Sequence, residues 1–158
     1  MFNSKTWLVG EQKACKYLED LGYVILDKNC KIACSELDIV CILPQKVQKN
    51  TIKKDIKQLK LLKKSTDKSE FELKMQSLKN QLKNIQKLLV VVEVKARSSK
   101  KYGEPFEAVT PNKIHNIVRG TYGYISKNHL ENISVRFDVI SIFDDNIEHI
   151  INAFDASE

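Results

Sequence analysis

Proline and glycine are scarce: three and five among 158 residues, which excludes a collagen-like chain or a Pro/Gly-rich one. Long apolar runs are missing too. The longest, Leu88 to Val92, falls far short of the roughly 20 residues that a bilayer-crossing helix needs, so no membrane partner is expected. Met1 to Val9 contains no apolar stretch followed by a small-residue cleavage site. No secretory leader is therefore expected, and a cytoplasmic location is. Cys15, Cys30, Cys34 and Cys41 are too few for a disulfide scaffold, and no CxxC pair occurs. They read as reduced thiols acting as small hydrophobes, with zinc as the lesser alternative. His115, His129 and His149 lack metal spacing and are expected at the surface or at helix ends.

A 42% hydrophobic content suffices for one core, and the length suits one domain. The net charge of +6 is unevenly spread. Residues 46–87 hold thirteen lysines against four acids, a net of +9, which leaves the remainder at −3. The basic character therefore belongs to one segment, and a whole-chain argument from charge to nucleic-acid binding does not hold.

Periodicity divides the chain into elements. Ser4 as N-cap, an apolar stripe through Trp7, Ala14, Leu18 and Leu21, and Gly22 at C′ predict a helix over about 5–21. Tyr23 to Leu26 reads as a short strand. Lys31 to Leu43 reads as a longer one, alternating from Ser35 to Cys41 and ended by Pro44. Ile52, Ile56 and Leu59, then Met75, Leu78, Leu82, Ile85 and Leu89, form two helical stripes separated by the polar Lys64–Ser69 stretch. These helices interrupt an α/β pattern, so 46–87 reads as an insertion within a single domain. Leu88 to Lys95 is a Val-rich strand. Thr110-Pro111 caps a helix over about 111–127, with Ile114, Ile117, Val118, Thr121 and Ile125 inward. Gly120-Thr121-Tyr122-Gly123 lies inside that helix and is not a phosphate loop. Val135–Phe143 and Ile147–Phe154 are strands joined by Asp144-Asp145-Asn146. The order is α-β-β-[αα]-β-α-β-β, a mixed α/β fold.

Charges inside apolar strands mark the candidate site. Glu93, Lys95 and Arg97 share one face of their strand, and Glu36 and Asp38 share one face of theirs. The bland accounts are a Glu93–Lys95 ion pair and a solvated outer face. If the two strands are neighbours, however, Asp38 and Glu93 converge, and Glu11 on the first helix adds a third carboxylate. Carboxylate oxygens suit Mg²⁺ or Mn²⁺. With Lys95 to orient or deprotonate water, the set is a minimal kit for metal-assisted phosphodiester hydrolysis.

Asp38 followed at a distance by Glu93-Val94-Lys95 resembles the PD-(D/E)XK nuclease signature. Around it stand Gly10-Glu11-x-x-Ala14-x-x-Tyr17-Leu18, Gly22-Tyr23-x-Ile25-Leu26-x-x-Asn29 and Glu36-Leu37-Asp38-Ile39-Val40. Val91 to Arg97, Tyr102 to Val109, Lys113, Arg136-Phe137-Asp138-Val139-Ile140 and Asn152-Ala153-Phe154 follow. As an ordered set, over about 8–43 and 88–154, these resemble the YraN-like family of small bacterial proteins. That family is assigned to the restriction-endonuclease-like fold and is similar to archaeal Holliday-junction resolvases.

The resemblance implies a mixed sheet flanked by helices and a Mg²⁺-dependent nuclease acting on DNA, including branched or repair intermediates. It implies Asp38 and Glu93 as metal ligands, Lys95, Glu11 and Glu36 as catalytic residues, and Arg97, Lys100 and Lys101 on the nucleic acid. Ser35 stands where the family usually has glycine and is expected to constrict the site. Ala96 replaces a small polar residue, and nothing in the family corresponds to 46–87. The competing reading is a non-catalytic module on the same fold, binding nucleic acid through the lysines of the insertion or forming a homodimer through its stripes. Phe71 is the one aromatic residue of the insertion, so base stacking there is not expected.

Overall fold

The computed structural model describes residues 4–33, 35–62, 67–97, 109–144 and 146–156, except for the side chains of residues 4–7 and 97. The elements run α1 (Ser4–Asp20), β1 (Val24–Ile32), β2 (Ser35–Leu43), α2 (Gln45–Leu61), α3 (Lys68–Lys83), β3 (Lys87–Arg97), α4 (Pro111–Lys127), β4 (Ile133–Phe143) and β5 (Asn146–Phe154). This is the order expected from the sequence.

Strong local signals set the helix ends. Tyr23 N–H bonds Leu18 O and Gly22 N–H bonds Glu19 O, with Gly22 at φ 89°. This pair of bonds closes α1 with glycine at C′. Thr110 caps α4 by accepting from Lys113 N–H, and Pro111 occupies the first turn. Asp67 accepts from the Ser69 and Glu70 amides and so starts α3. The Gly120–Gly123 stretch lies within α4, as expected.

The strands form one five-stranded sheet in the order β1-β2-β3-β4-β5. Only β3 and β4 are parallel. A parallel pair needs a crossover, and α4 supplies it. Both faces are covered. Leu89, Val91, Phe137 and Val139 pack beneath α4 with Ile114, Ile117 and Val118. Val90, Val92, Val94, Ile140 and Ile142 pack beneath α1 with Ala14, Cys15 and Leu18. A strand buried on both faces reads as a continuous Val run, which is what β3 shows. The result is a mixed sheet flanked by helices, consistent with the restriction-endonuclease-like architecture.

Several boundaries differ from expectation. The second helical stripe does not run on to Ile85 and Leu89: α3 ends at Lys83, and Leu89 is a buried residue of β3. The first strand does not stop at Leu26 but continues to Ile32, and Lys31 and Ile32 belong to it rather than to the second. The polar Asp27-Lys28-Asn29 stretch imitates a loop because β1 is an edge strand, where charge is tolerated and guards an unpaired edge. The chain reverses near Ala33, at φ 51°.

Lysine-rich α2 buries no side chain, and α3 buries only Met75. The pair is a hairpin leaving the sheet after Leu43 and re-entering at Lys87, and Leu43 lies opposite Leu88. No helix among the described residues is long and apolar enough to cross a membrane.

Candidate functional site

β2 and β3 pair from Leu43↔Leu88 up to Ile39↔Val92 and then separate. Where the ladder would continue, the Asp38 carboxylate takes over: its Oδ2 accepts the Val94 N–H at 2.8 Å. The separation also turns β2. Leu37 packs in the cluster beneath α4, whereas Ile39 packs in the cluster beneath α1. Strict alternation had placed these two residues on one face. Alternation does not hold across Asp38, the point where β2 leaves β3.

Glu93 is 4% exposed, and two ammonium groups hold it. Lys95 Nζ lies 2.9 Å from Oε1, and Lys113 Nζ, from the first turn of α4, lies 3.1 Å from Oε2. The pairing with Lys95 is the ion pair foreseen from the strand pattern. Glu11 is buried on α1, and its Oε2 accepts from Asn29 Nδ2 at 2.8 Å. A close approach carries it there, since a Cβ on Gly10 would lie 2.9 Å from the Cβ of Ala96 in β3. Glu36 is more peripheral: it is exposed and 4.0 Å from Lys31.

Burial, with Glu93 adding repulsion, pushes the Asp38 carboxyl up to about 7 despite the Val94 hydrogen bond. Burial also raises Glu11, reinforced by Glu36 and Glu93 and opposed by Asn29. Burial disfavours the Lys113 ammonium, yet Glu93, then Asp38 and Glu36, hold its value above the usual lysine range.

Two carboxylate oxygens, Glu11 Oε1 and Glu93 Oε2, are buried and receive no aligned hydrogen bond from a described residue. Oε2 is held by the Lys113 ammonium at 3.1 Å. Buried acceptors left without donors are costly. A hard divalent cation bound by oxygen satisfies such groups, so the donor set fits Mg²⁺ or Mn²⁺. Among the described residues, no three His, Cys, Asp or Glu side chains stand close enough together, as placed, to hold a metal ion, so binding would require the carboxylates to draw in. Glu93 is occupied by its lysines.

Glu11, Asp38, Glu93 and Lys95 thus come together where β2 leaves β3, with Glu36 at the margin. Arg97 ends β3, while Lys100 and Lys101 lie outside the described residues. Ser35 does not constrict the site. It packs against α4, where a Cβ on Gly120 would meet the Ser35 Cβ at 2.8 Å, so the absent side chain of Gly120 makes room for it.

The sequence marked Lys113 and Asn29 only as positions of the family resemblance, with no role given to either. It also missed a buried network on β4 and β5. Asp138, 0% exposed, accepts from Arg136 Nε at 2.8 Å, Arg136 Nη2 at 2.7 Å, His149 Nε2 at 2.9 Å and Asn152 N–H at 2.9 Å. Arg136 Nη2 also bonds Tyr23 Oη at 2.7 Å. His149 is therefore neither a surface nor a helix-end residue, as its scattered position had suggested. Its side chain is 4% exposed, in a strand. The detectable signal was an acid within the otherwise apolar Phe137–Ile140 run. Cys15, Cys30 and Cys41 are free thiols, as expected.

A UPF0102 protein of Trichlorobacter lovleyi is 34% identical, over 93% of this chain and 87% of its own. One from Clostridium beijerinckii is 33% identical, over 91% and 88%, and one from Clostridioides difficile is 31% identical, over 98% and 100%. Residues 10–142, from the helix carrying Glu11 to the end of β4, match the sequence model of the uncharacterised protein family UPF0102, the YraN family, and the chain belongs to it.

Proposed function

We propose that the protein is a Mg²⁺- or Mn²⁺-dependent nuclease that hydrolyses DNA phosphodiester bonds, with branched or repair intermediates as candidate substrates. The observation that carries this reading is the junction of β2 and β3. There Glu11, Asp38 and Glu93 are buried together, two of their oxygens lack aligned donors, and Lys95 stands beside them. Asp38 and Glu93 would hold the cation, with Glu11 as a further oxygen donor. The bound ion would supply charge neutralisation and an acidified water.

The chain's own groups do the rest. Lys95 is partly buried, so its ammonium is poorly screened and can orient a water or stabilise charge developing on phosphate oxygens. The Val94 amide fixes the Asp38 carboxylate through Oδ2. Water adds to phosphorus, the bond to one bridging oxygen breaks, and the products are a phosphate monoester and a hydroxyl. Arg97, Lys100 and Lys101 are proposed to grip neighbouring phosphates.

The test is cleavage of labelled single-stranded, duplex, flap and four-way-junction DNA, with and without Mg²⁺ or Mn²⁺. Cutting by wild type and not by Asp38→Asn is expected. A band shift without cutting in either metal would overturn the nuclease reading.

One observation favours a second reading, binding through the insertion. The +9 hairpin roots at the opposite end of β3 from the carboxylates, and Lys87 and Glu93 are about 20 Å apart at roughly 3.3 Å per residue. A cleft of about 710 Å³ at the hairpin is lined by uncharged Gln76, Asn80 and Gln81. On this reading the outer lysines hold phosphates and the site plays no part.

A further inference from the structure

We infer that Lys113 is a built-in substitute for the divalent cation: its ammonium occupies the carboxylate cluster when the ion is absent and must leave Glu93 for the ion to bind. The inference rests on the metal-site reading above and adds to it a residue that regulates occupancy.

Three observations point to Lys113. First, it stands at a poor place for a lysine. Thr110 is the N-cap of α4, which makes Lys113 the third helical residue, where a glutamate would close a capping box. A positive charge in the first turn also opposes the helix dipole. Helix stability therefore does not account for it. Second, its head group lies 3.1 Å from Glu93 Oε2. This ion pair takes up the oxygen that a cation would use. Third, Lys113 is attracted to Asp38 and Glu36 as well as to Glu93, so it sits among several acids. Lys95 differs in being tied to the other oxygen, Oε1, along the same strand. Lys113 reaches in from a separate element on a flexible four-carbon stem. Its side chain is 34% exposed, so it can swing to solvent, or onto a substrate phosphate, without disturbing the core.

A residue that only braces α4 against the sheet would weaken metal binding when removed, because the site would loosen. A competing counter-ion does the reverse. Mn²⁺ affinity can be measured by calorimetry and by electron paramagnetic resonance of free Mn²⁺, on the full chain and without DNA. Lys113→Met is expected to bind Mn²⁺ at least about tenfold more tightly than wild type, a modest share of the interaction between unit charges a few ångströms apart at an effective dielectric near 20. Lys113→Gln should move the same way, and keeps the measurement open if the methionine variant does not fold. Lys113→Arg, which retains the charge, should stay near wild type.

Equal or weaker binding by both neutral variants, with wild type still binding and Asp38→Asn not, overturns the inference and leaves the metal site standing. Absence of binding in wild type and in both neutral variants overturns the metal site and the inference together.

Discussion

Gly10 of α1 lies directly against Ala96 of β3, so close that a Cβ at position 10 would come within 2.9 Å of the Ala96 Cβ. This contact sets the distance between the helix bearing Glu11 and the strand bearing Glu93. Gly10→Ala should improve intrinsic helix propensity by about 1 kcal/mol. The overlap involves a Cβ fixed to backbone, so overpacking of roughly 1–3 kcal/mol should prevail. Net destabilisation is expected in urea titration. Ala96→Gly in the same chain should recover part of it, giving a non-additive cycle.

Asp38 is a buried carboxylate beside another, and it is stable there only through Val94 and the nearby lysine charge. Asp38→Asn keeps an oxygen for the Val94 amide and removes the repulsion with Glu93. Without divalent metal, at about pH 8, the variant should be more stable than wild type by roughly 1–3 kcal/mol. Adding Mg²⁺ should raise the melting temperature of wild type and leave that of the variant unchanged. A variant less stable than wild type under these conditions would show that Asp38 is primarily structural.

Asp138 responds to pH in the opposite sense. Burial pushes its carboxyl up, but hydrogen bonds from His149 and Arg136, the Arg136 charge and the Asn152 amide together hold it below the usual carboxylate range. Its folded value thus lies below its unfolded value. Its contribution to stability is complete above about pH 4 and is lost as pH falls through the folded value. Urea-unfolding free energies between neutral pH and about pH 2 should fall more steeply for wild type than for Asp138→Asn. Asp138→Ala takes the carboxylate from the largely buried Arg136, which keeps its bond to Tyr23, and should cost about 3 kcal/mol at neutral pH.

The hairpin should be separable from the sheet. α2 buries nothing, α3 buries one methionine, and Leu43 and Leu88 already face each other across β2 and β3. Replacing residues 45–86 with a tight hairpin turn should leave the melting temperature within about 5 °C of wild type. If the lysines bind nucleic acid, DNA affinity should fall and its steep dependence on salt should flatten. Metal-dependent cleavage, read separately, should persist. Loss of the fold would show instead that the hairpin is part of the core.

The sequence by itself determined the order of elements, the identity of the helices and the valine-rich central strand, because these depend on local periodicity and on caps such as Thr110-Pro111 and Gly22. It also determined that Glu11, Asp38, Glu93 and Lys95 deserved to be considered together, since acids inside apolar elements need a partner. Only the tertiary structure decided how they meet. Separation of β2 from β3 at Asp38 ends the alternation that placed Leu37 and Ile39 on one face. Lys113 reaches Glu93 across the crossover from β3 to α4, and His149 reaches Asp138 across the β4–β5 pairing. Each of these contacts joins residues whose own neighbours in the chain give no sign of it. A sequence pattern reports which face of an element is apolar, whereas an ion pair forms only where packing brings two elements within a few ångströms.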